Sequence, residues 1–421
     1  MATFMLIISF LLLVHYFPTE LAFGFGGGVG VGIGSGSGPG GGVWVGGGVD
    51  NPYPNPNPPT LSPSSSNLND AYKALQAWKL GISEDPNGIL TNWVGPNVCN
   101  YKGVFCTNMQ NNDYTPIITT ITAIDLNQAN LKGILVKELS LLPQLSILHL
   151  NSNRFSGTIP DTFKDLEFLT ELDLSNNLFS GAFPTTVIYM PNLMYLDLRF
   201  NSFSGELPED LFNKQLDAIL LNNNQFSGQL PQSMGNSPAS VINLANNMFT
   251  GIIPASLGYI NSRLKEVLFL NNQLSGCIPE GVGLFSDMQV LDVSYNSLMG
   301  HVPDSLSCLE DIQVLNLAHN KLSGELSDLV CSLKNLVNLS VEYNFFSGLS
   351  QKCANLFLRS VGFDFSLNCI PGKGMQRPQP DCSMIPGIGG NSCPRIPSTK
   401  PLVCGNLLNL VLNLGPVPLS P

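Results

Sequence analysis

The sequence contains few charged residues, and basic residues are the scarcer kind. Of its 421 residues 12% are charged, and 19 lysines and arginines stand against 30 aspartates and glutamates, a formal net charge of −11. Nucleic-acid binding needs a basic surface that neutralises phosphates, so the composition argues against that partner. Residues 68–351 hold 26 of the acids and 13 of the bases. This central part therefore favours a basic partner over a polyanion.

Histidine is also scarce, with four copies at His15, His149, His301 and His319. No recognisable motif places a serine, cysteine or carboxylate beside any of them. His149 and Asp173 could meet across neighbouring strands, where a solvated surface pair is the expected interpretation rather than a catalytic dyad. Because C-x-x-C pairs and Cys/His clusters at zinc spacing are also missing, we predict no enzyme, no cofactor and no metal site.

Long apolar runs are missing except at the amino terminus. Residues 5–14 have the length of the apolar core of a secretory signal, so residues 1–22 are interpreted as a signal peptide. That run is too short to span a bilayer, and no later segment could do so. We therefore expect a secreted, extracellular protein of the cell wall or apoplast with no membrane span.

Residues 23–66 are rich in glycine and then proline and are almost free of charge. This composition predicts a disordered arm with polyproline II character. The arm either contacts cell-wall polymers or serves as a plain linker. Its accidental G-x-G-x-x-G matches have no flanking strand and helix and do not indicate a nucleotide site.

Ten cysteines fit an extracellular protein with disulfide bonds. The pairs predicted from their grouping along the chain are Cys99–Cys106, Cys331–Cys353 and Cys369–Cys382. For the others we leave open a Cys277–Cys308 pair, a Cys308–Cys331 pair and an intermolecular bridge, and we assign no partner to Cys393 or Cys404.

A repeat of about two dozen residues decides the fold. One copy begins Leu148-His-Leu150-Asn-Ser-Asn153 and ends at Pro160. Its asparagine returns with steps of 23 to 25 residues, at positions 153, 177, 201, 224, 247, 272, 296, 320 and 344. Alternating leucines predict a short strand, and the buried asparagine amide can bond the backbone of neighbouring coils. One coil cannot bury its apolar side alone, so the coils must stack.

We therefore predict an α/β solenoid, a plant-type leucine-rich repeat right-handed superhelix with about ten repeats and disulfide-bonded caps. The amino-terminal cap covers residues 67–120 and the repeats cover 121–350. A cysteine-rich carboxy-terminal cap covers 351–404, and a tail covers 405–421. In the first copy of the repeat, at the amino-terminal end of the array, Ala129 stands in place of the asparagine.

The residues between and beside the strand leucines point outward and define what we call the concave face. Seven of these positions are acidic and one is basic. A plain solvated surface is one interpretation, and a binding face that steers a cation is the other. The predicted ligand-binding residues are Glu171, Asp173, Tyr195, Asp197, Arg199, Glu266 and Asp292. Asn338-Leu-Ser340 is an N-x-S sequon, either glycosylated or unused.

Several segments resemble the plant leucine-rich repeat extensin-like proteins. They are Ala71-Tyr-Lys-Ala-Leu-Gln-Ala-Trp-Lys, Asn92-Trp through Cys106, Leu274-Ser-Gly-Cys277-Ile-Pro, Val330-Cys331, Tyr343-Asn-Phe-Phe-Ser-Gly348 and Asn368-Cys369-Ile-Pro-Gly372. The resemblance spans about residues 68–382. It implies a cell-wall protein that binds small, basic, cysteine-rich signalling peptides, the rapid alkalinisation factors. The extensin tail of that family does not follow here, so the chain resembles a tail-less branch.

Two alternative functions use the same repeats. One is an inhibitor of wall-degrading enzymes, similar to the polygalacturonase inhibitors. The other is a structural wall protein held by the Gly/Pro-rich arm. A homodimer is left open.

Overall fold

The computed structural model describes residues 67–109, 118–258, 263–383, 393–395, 404 and 407–412. The signal-peptide and arm predictions (1–22 and 23–66) lie outside these residues, as does most of the tail. The described chain forms an open solenoid in which most coils contribute one short strand to each of two sheets. None of the described helices has the length and apolarity needed to cross a membrane.

The first sheet is built from the Leu-x-Leu segments and confirms the strands that the repeat predicts. It has 12 strands, and all neighbours are parallel except β2 and β3 at the amino-terminal end. Its strands are β2 Val104–Met109, β3 Ile118–Asp125, β5 Ile147–His149, β7 Glu171–Asp173, β9 Tyr195–Asp197, β11 Ala218–Leu220, β13 Val241–Asn243, β15 Glu266–Leu268, β17 Val290–Asp292, β19 Val314–Asn316, β21 Asn338–Ser340 and β23 Gly362–Asp364.

A second sheet of 11 strands, which the sequence does not predict, follows the ladder asparagines. It is parallel apart from β1, which pairs with β4 in the antiparallel sense. Its strands are β1 Ile82–Glu84, β4 Lys132–Ile134, β6 Arg154–Gly157, β8 Leu178–Ala182, β10 Ser202–Gly205, β12 Gln225–Gln229, β14 Met248–Ile252, β16 Gln273–Gly276, β18 Ser297–Gly300, β20 Lys321–Leu326 and β22 Phe345–Leu349.

Short helical turns close the coils on the side away from the concave face. The helices are α1 Asn67–Gly81, α2 Asp210–Asn213, α3 Asp328–Cys331, α4 Gln351–Ala354, α5 Gln379–Cys382 and α6 Leu407–Leu412. The 3₁₀ turns are Ile89–Asn92, Val98–Asn100, Lys137–Leu141, Asp161–Asp165, Thr185–Tyr189, Gln232–Asn236, Glu280–Leu284, Asp304–Cys308 and Leu356–Arg359.

The asparagine ladder joins each coil to the one before it. Asn177 shows the pattern: its Nδ2 donates to the carbonyls of Leu150, at 2.8 Å, and Leu174, at 3.1 Å. Its Oδ1 accepts from the backbone N–H of Phe155 at 2.9 Å. The side chain is buried, so these bonds satisfy backbone groups that water cannot reach.

The ladder continues beyond residue 350, the predicted end of the repeats. Asn368 is fully buried, accepts from the N–H of Phe346 and donates to the carbonyl of Val341. β23 pairs in parallel with β21 in the same register. One more coil therefore lies within the segment assigned to the carboxy-terminal cap.

The amino-terminal cap covers one end of a column of aromatic rings inside the solenoid. Trp78 of α1 is fully buried and stacks on Phe155 with ring centroids 5.8 Å apart. Its Nε1 donates to the carbonyl of Ile134. From Phe155 the phenylalanine column continues through the next coils with spacings of 6.2 to 6.4 Å.

The disulfides confirm three predictions and correct the rest. Cys99–Cys106, Cys331–Cys353 and Cys369–Cys382 are present. The Cys277–Cys308 pair, the Cys308–Cys331 pair and the intermolecular bridge are wrong, because Cys277 bonds Cys393 and Cys308 bonds Cys404. Sequence separations of 116 and 96 residues put both bonds beyond any local spacing rule.

These two bonds fasten a carboxy-terminal strap, defined as residues 393–395, 404 and 407–412, onto earlier coils. Arg395 pairs with Asp304 at 3.3 Å. Leu407 and Val411 of α6 are buried against Cys308. A Cβ at residue 300 would lie 2.1 Å from the Cys393 sulfur, so the strap requires Gly300.

We predict that Asn177→Ala lowers the free energy of unfolding by about 2–4 kcal/mol, since it leaves several buried backbone groups without partners. Asn192→Ala is the control, because Asn192 is exposed and its side chain donates only to the carbonyl of Glu167. Urea unfolding of both variants measures the difference. Equal stability of the two would contradict a central role for the ladder.

We also predict that digestion without reductant releases one peptide pair joining Cys277 to Cys393 and another joining Cys308 to Cys404. Mass spectrometry before and after reduction detects the pairs. A linked Cys277–Cys308 peptide, or free thiols at these positions, would contradict the strap.

Candidate ligand-binding face

The parallel register brings five of the predicted residues together. On β7 and β9 Glu171 lies opposite Tyr195, and Asp173 lies opposite Asp197. Arg199 follows β9 by two residues. We call these five residues the central group.

The other two predicted residues lie further along the sheet. Glu266 is on β15 and Asp292 is on β17, and β11 and β13 separate them from the central group. The concave face therefore carries two acidic regions rather than one.

Asp197 is buried rather than displayed. Its side chain has no exposed surface, and its Oδ2 lies 2.8 Å from Nε of Arg199. Its Oδ1 accepts from the Arg199 N–H at 3.1 Å, and the Tyr195 hydroxyl donates to Oδ2 at 3.4 Å. Burial, and next the charge of Asp173, raise the pKa of Asp197 to about 8, although Arg199 opposes the shift. Near neutral pH this carboxyl group therefore contributes little free negative charge.

Glu171 is also paired. Its Oε2 lies 3.0 Å from Nε2 of His149, so the histidine bonds Glu171 although its strand register aligns it with Asp173. Burial works against protonation of His149, but the Glu171 bond and the charges of Asp173, Glu171 and Asp125 outweigh it and raise the pKa of His149. Glu171 and Asp197 are therefore both paired within the face.

Asp173 is the carboxylate of the central group that forms no ion pair within the described part of the chain. Its side chain is half-buried, and its Oδ1 accepts from the N–H and the hydroxyl of Ser175 at 2.9 and 2.5 Å. These bonds hold the carboxylate in place and leave Oδ2 for a ligand.

The second acidic region is shielded by its own hydrogen bonds. Asp292 accepts from the Ser294 hydroxyl at 2.6 Å and from Nδ2 of Asn316 at 2.9 Å. Burial raises the pKa of Asp292 and of Glu266. A cation that reaches these groups would strengthen their negative charge by favouring the ionised form.

The site prediction omits a group near the carboxy-terminal end of the face. Tyr295, His319 and Tyr343 stack with ring centroids 4.0 Å apart, and Glu342 lies directly before Tyr343. We call the three rings the aromatic stack. The signal in the sequence is that each of three successive ladder asparagines directly follows an aromatic residue.

Asn338 offers little room for a glycan. Its side chain is 8% exposed in β21, and its Oδ1 accepts from the Ser340 hydroxyl at 3.3 Å. The neighbouring strand passes at Gly362, where a Cβ would lie 3.6 Å from the Asn338 nitrogen. A glycan on that nitrogen would displace this strand, so we do not expect glycosylation of the folded chain there.

We predict that Asp197→Asn flattens the pH dependence of stability. Folding raises the Asp197 pKa from 3.8 to about 8, so the folded state binds more protons in that window and loses stability as pH rises through it. Asparagine removes this titration. The difference in unfolding free energy between about pH 5 and about pH 8 should be smaller in the variant than in wild type. The exposed Asp165→Asn is the control, and equal pH dependence in all three proteins would refute the prediction.

Three family models match parts of the chain, and each describes a repeat or its cap. The leucine rich repeat N-terminal domain matches residues 68–107, and leucine rich repeat models match 143–203, 287–309 and 311–333. Leucine-rich repeat extensin-like protein 7 of Arabidopsis thaliana is 58% identical over 238 residues, covering 56% of this chain and 54% of that protein. Leucine-rich repeat extensin-like protein 6 of the same plant is 50% identical over 92 residues, covering 22% and 19%. The chain thus aligns with about half or less of the length of these relatives.

Solved structures agree on the fold. The crystal structure of PEPR1–AtPEP1 superposes with a TM-score of 0.61 at 28% identity, covering 71% of this chain and 45% of the other. The plant peptide hormone receptor RGFR1, in complex with RGF2, gives 0.54 at 28% identity, covering 56% and 38%. The chain is a plant-type leucine-rich repeat solenoid, and its sequence is similar to those of the leucine-rich repeat extensin-like proteins.

Proposed function

We propose that this chain is secreted into the plant cell wall and binds a basic, cysteine-rich peptide of the rapid alkalinisation factor class through its concave face. The observation that carries the proposal is the central group, in which two neighbouring strands gather three carboxyl groups and a tyrosine, with an arginine two residues after β9. The names of the relatives and the peptide hormone complexes among the similar folds support the same class of function.

The geometry suits a cationic ligand despite the internal pairing. Asp173 offers an accessible carboxylate, and Tyr195 supplies a half-buried ring beside it. An arriving lysine or arginine would favour the ionised form of Asp197, whose pKa burial holds at about 8. Binding would then release a proton from Asp197, so affinity should depend on pH as well as on salt.

A rigid concave face lowers the entropic cost of binding a peptide. The strands of the face are held by the ladder and by parallel pairing on both sides, so the carboxyl groups need not be ordered when the ligand arrives. Complementary charge then contributes mainly to the association rate and the choice of partner.

We predict that Asp173→Asn weakens binding of a synthetic, folded rapid alkalinisation factor peptide by about five- to tenfold, because one accessible carboxylate is lost. Calorimetric titration at several salt concentrations measures the effect, and affinity should fall as salt rises. Asp165→Asn makes the same charge change on a 3₁₀ turn away from the face and should bind as wild type does.

Absence of peptide binding, or binding that ignores both salt and Asp173→Asn, would reject this function. Inhibition of a wall-degrading glycanase without peptide binding would support the inhibitor hypothesis instead.

A further inference from the structure

One column of residues along the solenoid adopts a strained backbone. The residue directly before each ladder asparagine has a positive φ, between 52° and 59°. Asparagine tolerates this left-handed backbone conformation. For most other residues the conformation costs roughly 1–2 kcal/mol. The middle of the column follows that rule with Asn223, Asn246 and Asn271. The next three coils carry Tyr295, His319 and Tyr343, so local backbone preference does not explain these rings.

Core packing does not explain them either. The three rings form the aromatic stack with interplanar angles of 12° and 14°. Tyr295 is 52% exposed and Tyr343 is 42% exposed. Bulky residues held in an unfavourable conformation at the surface indicate a functional requirement. Exposed aromatic side chains are also common energetic centres of binding surfaces.

A carboxyl group with an unused acceptor lies beside the stack. Oε2 of Glu342 is buried and has no hydrogen-bond partner within the described part of the chain. Burial raises the pKa of Glu342 to about 7, and the charges of Asp364 and Asp292 add to the shift. A hydrogen-bond donor on a ligand would satisfy this buried oxygen and would thereby stabilise the complex.

The bases nearby do not pair with Oε2 of Glu342. Arg377 is engaged elsewhere: its Nε donates to the Asn344 carbonyl and its guanidinium lies 4.5 Å from the centroid of the Phe345 ring. Burial and the charge of Arg377 lower the pKa of His319, which keeps that ring neutral near pH 7. The charged groups around Glu342 are thus mainly carboxyl groups.

We propose that the aromatic stack and Glu342 form a second contact point on the concave face, which takes a lysine or arginine side chain of the bound peptide. The cationic head bonds Glu342, and the side chain packs on the rings. This inference rests on the proposed function and adds a second anchor to it.

The separation of the two anchors sets a requirement for the ligand. Five strand-to-strand steps lie between β9 and β19, which precedes His319. At the spacing of a sheet they correspond to about 24 Å. A peptide that uses both anchors therefore needs basic side chains on the order of 24 Å apart, or about seven residues if it is extended.

The test replaces the three residues of the aromatic stack by asparagine, which occupies positions 223, 246 and 271 of the same column. The triple variant Tyr295→Asn, His319→Asn and Tyr343→Asn should fold, because asparagine suits the left-handed backbone. We expect it, and separately Glu342→Gln, to bind the peptide used for Asp173→Asn about tenfold more weakly. Gln128→Asn is the matched control, since Gln128 is exposed and lies in the same column away from both the stack and the central group, and it should bind as wild type does.

Thermal unfolding of the same variants separates a binding role from a structural one. The triple variant should unfold at or above the wild-type temperature, whereas a structural stack would make it unfold lower. Wild-type affinity in the triple variant, together with weak binding by Asp173→Asn, would overturn this inference and leave the proposed function standing. A loss shared equally by Gln128→Asn would also overturn it. No binding by the wild type would reject the proposed function, and the second anchor with it.

Discussion

A buried asparagine amide has two N–H groups and an oxygen that water cannot satisfy, and the solenoid depends on how these are used. Each ladder side chain bonds carbonyls of its own coil and of the coil before it. The oxygen accepts an N–H from that preceding coil. The amide therefore fixes both the turn within a coil and the step to the next one. Apolar burial would hold stacked coils together, but it is not directional and would not fix their register.

A fixed register explains why the concave face carries less charge than its composition suggests. Parallel pairing places equivalent positions on neighbouring strands side by side, so Asp173 and Asp197 face each other. Like charges at that distance are unfavourable unless one is neutralised. The structure does so by burying Asp197 with Arg199 and by joining Glu171 to His149. The repetition that aligns the acidic residues thus also requires part of their charge to be compensated internally.

The sequence predicts features that arise within one repeat and fails where distant segments meet. Strand positions, the ladder and the Cys99–Cys106 bond follow from local spacing. The second sheet does not, because its strands look like turns until neighbouring coils supply their partners. The Cys277–Cys393 bond is hidden for the same reason, since it crosses 116 residues. Asn368 could have been found, because it lies one repeat length after Asn344, but the surrounding cysteines favoured a cap.

The carboxy-terminal strap bears on how well the central group and the aromatic stack stay aligned. Coils of a solenoid contact only their neighbours, so bending accumulates along the array. The strap bonds Cys277 in one coil and Cys308 in the next, and α6 packs on the turn Glu280–Leu284 between them. The Cys277 coil lies between the central group and the aromatic stack, and the Cys308 coil carries Tyr295 of the stack. A covalent tie at this place opposes bending where it would change the distance between the two anchors. Because an anchored ligand loses affinity when its contacts move apart, the strap would support the proposed recognition from the opposite side of the molecule.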